Sequence, residues 1–301
     1  MLKYKGEYMI LKIKPTFIEK LWGGNYYSKL YHKNLDKIGE VVLFSAHQEF
    51  ELNFIDNDGH EHPLISKYPH IYHQLTTLFP ITLKLIDAKE DLSIQVHPDD
   101  QYANKYHQSL GKEEYWMILD ALPSTKILIG HSITDLVQLQ EVVKNHQLHH
   151  YMKAYKIQKD DLFFIPANTV HAIQKNTRIL EIAQASVLNF RVDDYQRIDE
   201  NGQLRPLHIK EALDVIKIPD NVVQREFPDH LFNYKRITIT QEKNIIIEHN
   251  LTICIVLKGT GFIDDHIIKE GMCFIMFQMK YLSCKGNMEL LFLNSTIAST
   301  T

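Results

Sequence analysis

Residues 92–97 alternate strictly: Leu92, Ile94 and Val96 on one side, Ser93, Gln95 and His97 on the other. A period of two is that of a β-strand, so this stretch must join a sheet whose two faces differ. Pro98 ends it, because proline has no N–H to give to a ladder. The apolar run at 79–86 (FPITLKLI) puts a second strand just upstream in buried surroundings. The polar link at 87–91 is short enough for the two strands, about 81–87 and 92–98, to form a hairpin. An amide and an imidazole on one strand face can both reach one cation. A solvated edge strand carries the same pattern, so this stretch alone leaves both readings open.

The rest of the chain is also mainly β in pattern. Runs at 39–47, 114–119, 157–165, 179–182 and 187–192 read as strands, and 68–79 and 207–216 as helices. The clearest helix spans about 134–150, with Thr134 as N-cap and Leu136, Leu139, Val142 and Val143 at helical spacing. Beyond Pro219, short β-rich runs at 234–240, 244–249, 251–257, 261–263, 272–277 and 290–294 alternate with turns, the pattern of a second sandwich or barrel. The expectation is a domain over 1–225 with a helical insertion around 134–150, and a smaller β domain over 226–301.

A net charge of -4 gives no basic footprint for nucleic acid. Cys254, Cys273 and Cys284, odd in number and without recurrent spacing, argue against a disulfide framework or a cysteine zinc site. Reduced thiols, no apolar leader core within residues 1–7 and no run near the roughly 18 apolar residues of a membrane helix give the expectation of a cytoplasmic protein.

Four polar features combine. Gln95 and His97 are the first. Gly111-Lys112-Glu113-Glu114 puts a carboxylate at the mouth of the next strand; alone, Glu114 reads as an ordinary exposed glutamate. In the segment 160–171 (DDLFFIPANTVH) an Asp pair opens a strand, Pro-x-Asn makes a turn and His171 follows. Glu181 and the segment 191–197 (RVDDYQR) complete the set. Two imidazoles, one carboxylate and an amide oxygen suit zinc, and Mn, Fe, Co or Ni would accept them too. One anionic ligand leaves a divalent site with a charge of about +1, attractive to an anionic substrate.

The succession Q-x-H-P-D-D, G-K-x-E and P-x-x-x-x-H, at 95–100, 111–114 and 166–171, resembles the type I phosphomannose isomerases in their short bacterial form. The resemblance implies two cupin-type β-barrels (jelly rolls), the first catalytic with a helical insertion, the second smaller and metal-free. It implies interconversion of mannose 6-phosphate and fructose 6-phosphate. It also implies Gln95, His97, Glu114 and His171 as ligands of one zinc or similar cation, and Arg191 as catalytic arginine. Lys84, Ser93 and Lys112 match positions that meet the sugar phosphate; Arg197 is an alternative for the phosphate. Glu181, ten residues before Arg191, is a candidate base, or a structural partner for Arg191 or a lysine.

Three departures stand out. Ser186-Val187 replaces the family's Ser-Asp, and Asp160 and Asn168 replace glycines in two turns. Val187 favours an alternative, a degenerate cupin that binds or senses a sugar phosphate without turnover. A cupin dioxygenase would also use His and Glu ligands, but the lysines and Arg191 suit an anionic substrate. His146, His149 and His150 read as a solvated helix face, and His60 and His62 as flanking a surface turn.

Overall fold

The computed structural model describes residues 8–199, 201–220 and 223–296; residues 1–7, weighed above as a leader, lie outside the described residues. The fold is mainly β. It has two compact units. One comprises Phe17–Val41 and Thr82–Phe227; the other comprises the described residues of Met1–Thr16, Val42–Ile81 and Pro228–Thr301. This differs from the continuous division at 225/226. The strand Met9–Ile13 pairs antiparallel with Cys273–Phe277, Ile10 opposite Met276, so residues from both ends of the chain build one sheet. No local pattern announces so distant a pairing.

The unit formed by Phe17–Val41 and Thr82–Phe227 is built on two sheets. One runs in the order Leu162–Ile165, Glu114–Ala121, Thr177–Gln184, Ile81–Ala88, Thr16–Gly24, Ile38–Ser45. The other runs Met152–Lys156, Lys126–His131, His171–Ile173, Ile94–Val96, Phe190–Asp193. Ile127, Ile129 and Ile173 of the second share a buried core with Trp116, Ile118, Phe163, Ile165 and Ile179 of the first. On the opposite face of the second sheet, Ile94 and Val96 pack with Leu139 and Val142 of the helix Leu136–Lys144 and with Ala212 and Val215 of the helix Ile209–Val215. Each fully buried aliphatic of this kind contributes roughly 1.5–3 kcal/mol. The alternation is thereby explained from Ile94 on: Ile94 and Val96 are covered by helices, and Gln95 and His97 look into the space between the sheets, whereas Leu92, which precedes the strand, packs in the core between the sheets.

Three sequence expectations are corrected. Ile81–Ala88 and Ile94–Val96 do not form a hairpin; they enter different sheets, and 89–93 carries the chain from one to the other. The helix expected at 134–150 is shorter, Leu136–Lys144, and Asp135 rather than Thr134 caps it by accepting from the Gln138 N–H. Neither unit contains a closed barrel among the described residues; all three sheets are open.

The other unit is built on one nine-stranded sheet and also carries the helices Leu64–Lys67 and Pro69–Leu78. Its main path is Phe232–Ile239, Tyr281–Ser295, Leu251–Ile263, Cys273–Phe277, Met9–Ile13, Asn53–Ile55, Glu61–Pro63. Ile237, Val256, Phe274, Met276, Leu290 and Phe292 lie in its core with Cys254 and Cys284. The three cysteines are free and buried.

Candidate metal centre

Register decides which side chains can meet. His171 stands opposite Gln95, and Gln95 opposite Arg191, across three neighbouring strands. Directly opposed residues project from the same face, and the period of two adds His97. On the facing sheet Glu181 opposes Trp116, and Glu114 lies two residues before Trp116.

These faces converge on one buried group. His97 Nε2 lies 2.9 Å from Glu114 Oε1, and His171 Nε2 lies 3.6 Å from Glu114 Oε2. Donor atoms of His97, Glu114 and His171 all lie within 4.8 Å of one another. Gln95 Nε2 approaches His171 Nε2 at 3.3 Å. The Trp116 indole N–H donates to Glu114 Oε2 at 2.9 Å and sets the carboxylate plane. Lys112 Nζ lies 2.7 Å from Glu114 Oε1. Gly111 precedes it because the backbone of Asp99 and Asp100 comes so close that a Cβ there would sit 2.5 Å from Asp100 N.

The far ring nitrogens define the tautomers. Nδ1–H of His97 donates to the Leu188 carbonyl, and Nδ1–H of His171 to the Thr169 carbonyl, each at 2.9 Å. In a neutral ring the proton is then on Nδ1 and Nε2 carries a lone pair. Burial, aided by the Lys112 ammonium, pushes His97 down to about 3, and burial lowers His171 as well. Burial pushes Glu114 up, but the Lys112 ammonium outweighs it and holds the carboxyl well below its usual range. His97 Nε2 and Glu114 Oε1 are thus two buried electron-rich atoms facing each other; the Lys112 ammonium lies against Oε1, but the Nε2 lone pair has no hydrogen bond. Such an arrangement is costly unless a cation joins the two atoms. Two imidazole lone pairs and a carboxylate, with the Gln95 amide beside them, fit a divalent transition-metal ion.

A second layer of charge surrounds this group. Glu181 is buried, and burial together with the Glu114 charge pushes its carboxyl up to about 7. Lys84 lies 3.1 Å from Glu40, which also pairs with Lys20 at 3.2 Å. Burial pushes Glu40 up, but Lys84 and Lys20 outweigh it and bring it to about 2. Burial opposes the charge on Lys84, but Glu40 and Glu181 hold its ammonium above the usual lysine range.

The remaining candidates are positioned differently. Ser93 is buried just before the strand that bears Gln95. The backbone of Arg191 is in register with Gln95, but its guanidinium donates from Nη1 to the Pro206 carbonyl at 2.7 Å and leaves Nε buried without a partner. Arg197 pairs with Asp194, as does Arg205. Val187 is exposed. Asp160 and Asn168 adopt φ of 74° and 68°, the left-handed geometry of the glycines they replace. His146 is exposed past the helix end and faces Asp193 Oδ2 at 3.2 Å; His149 and His150 lie in a separate short 3₁₀ turn. His60 lies in a turn that Asp56 Oδ1 organises by accepting from the Asp58 and His60 N–H groups.

Sequence reasoning missed Glu40, Trp116 and Asn189. Glu40 had a signal, a lone charge inside the run Ile38–Ser45 (IGEVVLFS). Trp116 had one too, at two residues from Glu114 in a strand. Asn189, whose Nδ2 donates to Gln95 Oε1 at 2.6 Å, had none.

Residues 10–116 match the family model described as phosphomannose isomerase type I, catalytic domain. The chain is 35% identical over 216 residues to the mannose-6-phosphate isomerase ManA of Bacillus subtilis (strain 168), covering 69% of this chain and 68% of that one. It is 30% identical over 217 residues to the mannose-6-phosphate isomerase of Streptococcus mutans, covering 68% of each. The crystal structure of the mannose 6-phosphate isomerase from Bacillus subtilis superposes with a TM-score of 0.83 at 28% identity, covering 95% of this chain and 99% of that one. Among the described residues no helix is long and apolar enough to cross a membrane.

Proposed function

The chain belongs to the type I phosphomannose isomerases, and from that membership we propose that it interconverts D-mannose 6-phosphate and D-fructose 6-phosphate through an enediolate. The observation that carries this reading is the buried pair of neutral imidazoles around Glu114. Zinc is the cation we assign to it, held by His97, Glu114, His171 and the Gln95 amide oxygen. When bound, such a cation supplies Lewis-acid polarisation of the sugar carbonyl and stabilises developing negative charge.

The chain's own residues do the rest. Glu181, with its carboxyl near 7, has the basicity to take a proton from one carbon and return it to its neighbour near neutral pH. Arg191 stabilises the enediolate oxygen. That role requires its guanidinium to leave Pro206 when substrate enters. Lys84, Ser93 and Lys112 hold the phosphate. The two facing sheets of this unit support a cupin-type jelly roll, and we take residues 226–301 to be metal-free and structural. Free buried cysteines support a cytoplasmic location; the net charge gives no footprint for a nucleic-acid partner.

A sensor that binds sugar phosphate without turnover is the second reading, favoured by exposed Val187 where the family carries Asp. A coupled assay with mannose 6-phosphate on zinc-, manganese- or cobalt-loaded protein decides between them. Turnover supports the isomerase. Sugar-phosphate binding by calorimetry with no turnover on any metal supports the sensor.

A further inference from the structure

The Gln95 amide faces the cation site with its nitrogen. Its Nε2 lies 3.3 Å from His171 Nε2, while its Oε1 accepts a 2.6 Å bond from Asn189 Nδ2. An amide N–H₂ has donors and no lone pair to give; only the oxygen can ligate. To become a ligand, Gln95 must turn over by half a rotation. It cannot turn alone, because its N–H₂ would then confront the N–H₂ of Asn189 at the same 2.6 Å. Asn189 is free to turn with it: its own Oδ1 is buried and has no hydrogen-bond partner, so rotation breaks nothing at that end.

We propose that Asn189 is the positioning residue for the metal ligand Gln95, and that the two amides turn as a coupled pair. With a cation, Asn189 Oδ1 accepts from Gln95 Nε2 and aims Gln95 Oε1 at the metal. The same segment supplies the Leu188 carbonyl that fixes the His97 tautomer, so two adjacent residues support two candidate ligands, one through its backbone carbonyl and one through its side-chain amide. This rests on the metal-centre reading above.

The test is zinc affinity of the full chain, measured by competition with a chromophoric chelator, so that activity is not the readout. Asn189→Leu, which keeps the branched heavy-atom shape but cannot accept, is expected to weaken zinc binding about 10- to 100-fold, the usual scale for an outer-shell partner of a ligand. Asn189→Asp, which always accepts, is expected to bind at least as tightly as wild type. In a Gln95→Ala background, Asn189→Leu should cause no further loss. Asn189→Ala serves where melting of the metal-free Leu variant shows that it does not fold. Wild-type affinity in both the Leu and Ala variants overturns the proposal, and so does a loss that persists undiminished without Gln95. A wild type that binds no zinc instead overturns the metal-centre reading itself.

Discussion

At the scale of single residues, two charges close to the site should fail in different ways. A guanidinium aimed at the enediolate lowers the barrier more than it tightens binding, because the substrate lacks that charge. Arg191→Ala is therefore expected to reduce kcat by about 10²–10³ with a smaller change in KM and with metal retained. Lys112→Ala should act mainly on KM, since a phosphate contact exists before and during reaction. Steady-state kinetics at verified metal content separates them; wild-type turnover in Arg191→Ala would remove its role. Glu181 makes a second prediction. Its carboxyl stands at about 7, raised by burial and by Glu114, and a base must be ionised. Activity should rise with pH along a limb centred at or below 7, since a bound cation lowers the value further, and Glu181→Gln should remove that limb. The sign for stability is opposite. A carboxyl raised above its unfolded value of 4.5 favours the fold when protonated, and that benefit is lost as pH rises through about 7. Metal-free Glu181→Gln should accordingly gain on wild type at pH 8 and not at pH 4.

At the scale of elements, the two segments that deliver the imidazoles are tied to each other. The Asn168 N–H donates to the His97 carbonyl at 2.7 Å, and the Asp99 N–H donates to Asn168 Oδ1 at 3.0 Å. Asn168 Nδ2 donates to Asp99 Oδ2 at 2.7 Å, while Asp99 Oδ1 caps the helix Asp100–His107 by accepting from the Tyr102 N–H. One carboxylate thus holds a helix N-terminus and the turn leading to His171. Asp99→Ala should cost about 1–3 kcal/mol, the sum of a lost cap and the net worth of a lost hydrogen bond to the half-buried Asn168 amide. Urea unfolding measures the loss. A parallel drop in zinc affinity would show that the turn and the site move together; an unchanged midpoint would contradict the linkage.

For the whole molecule, the cation should act as a structural clamp between the two sheets of its unit. His97 and His171 come from one sheet and Glu114 from the other. Binding to the folded state alone stabilises by about 2.7 kcal/mol at 100 times Kd. Chelation of the loaded protein is thus expected to lower Tm by several degrees, and zinc should restore it. His97→Ala should melt at one temperature with or without chelator. A Tm indifferent to metal in the wild type would remove the clamp.

The candidate ligand positions were legible from sequence through the family motif, and local patterns mark where their segments lie. Alternation at 92–97 gives a strand with a chemically distinct face, and Gly111 and the Pro166-x-Asn168 turn mark where the chain must bend tightly. Asp160 and Asn168 could stand for glycine because Asp and Asn tolerate the left-handed region. What the sequence could not decide is which strand each strand pairs with. Ile81–Ala88 and Ile94–Val96 lie close enough for a hairpin, yet join different sheets, and Met9–Ile13 pairs with residues more than 260 positions away. Glu40 and Asn189 owe their places to pairings of this kind: one is set against Lys84, the other against Gln95. Periodicity is a property of a few adjacent residues, set by the backbone itself. Partner choice is a competition among many apolar faces of similar free energy, and only the packed structure resolves it.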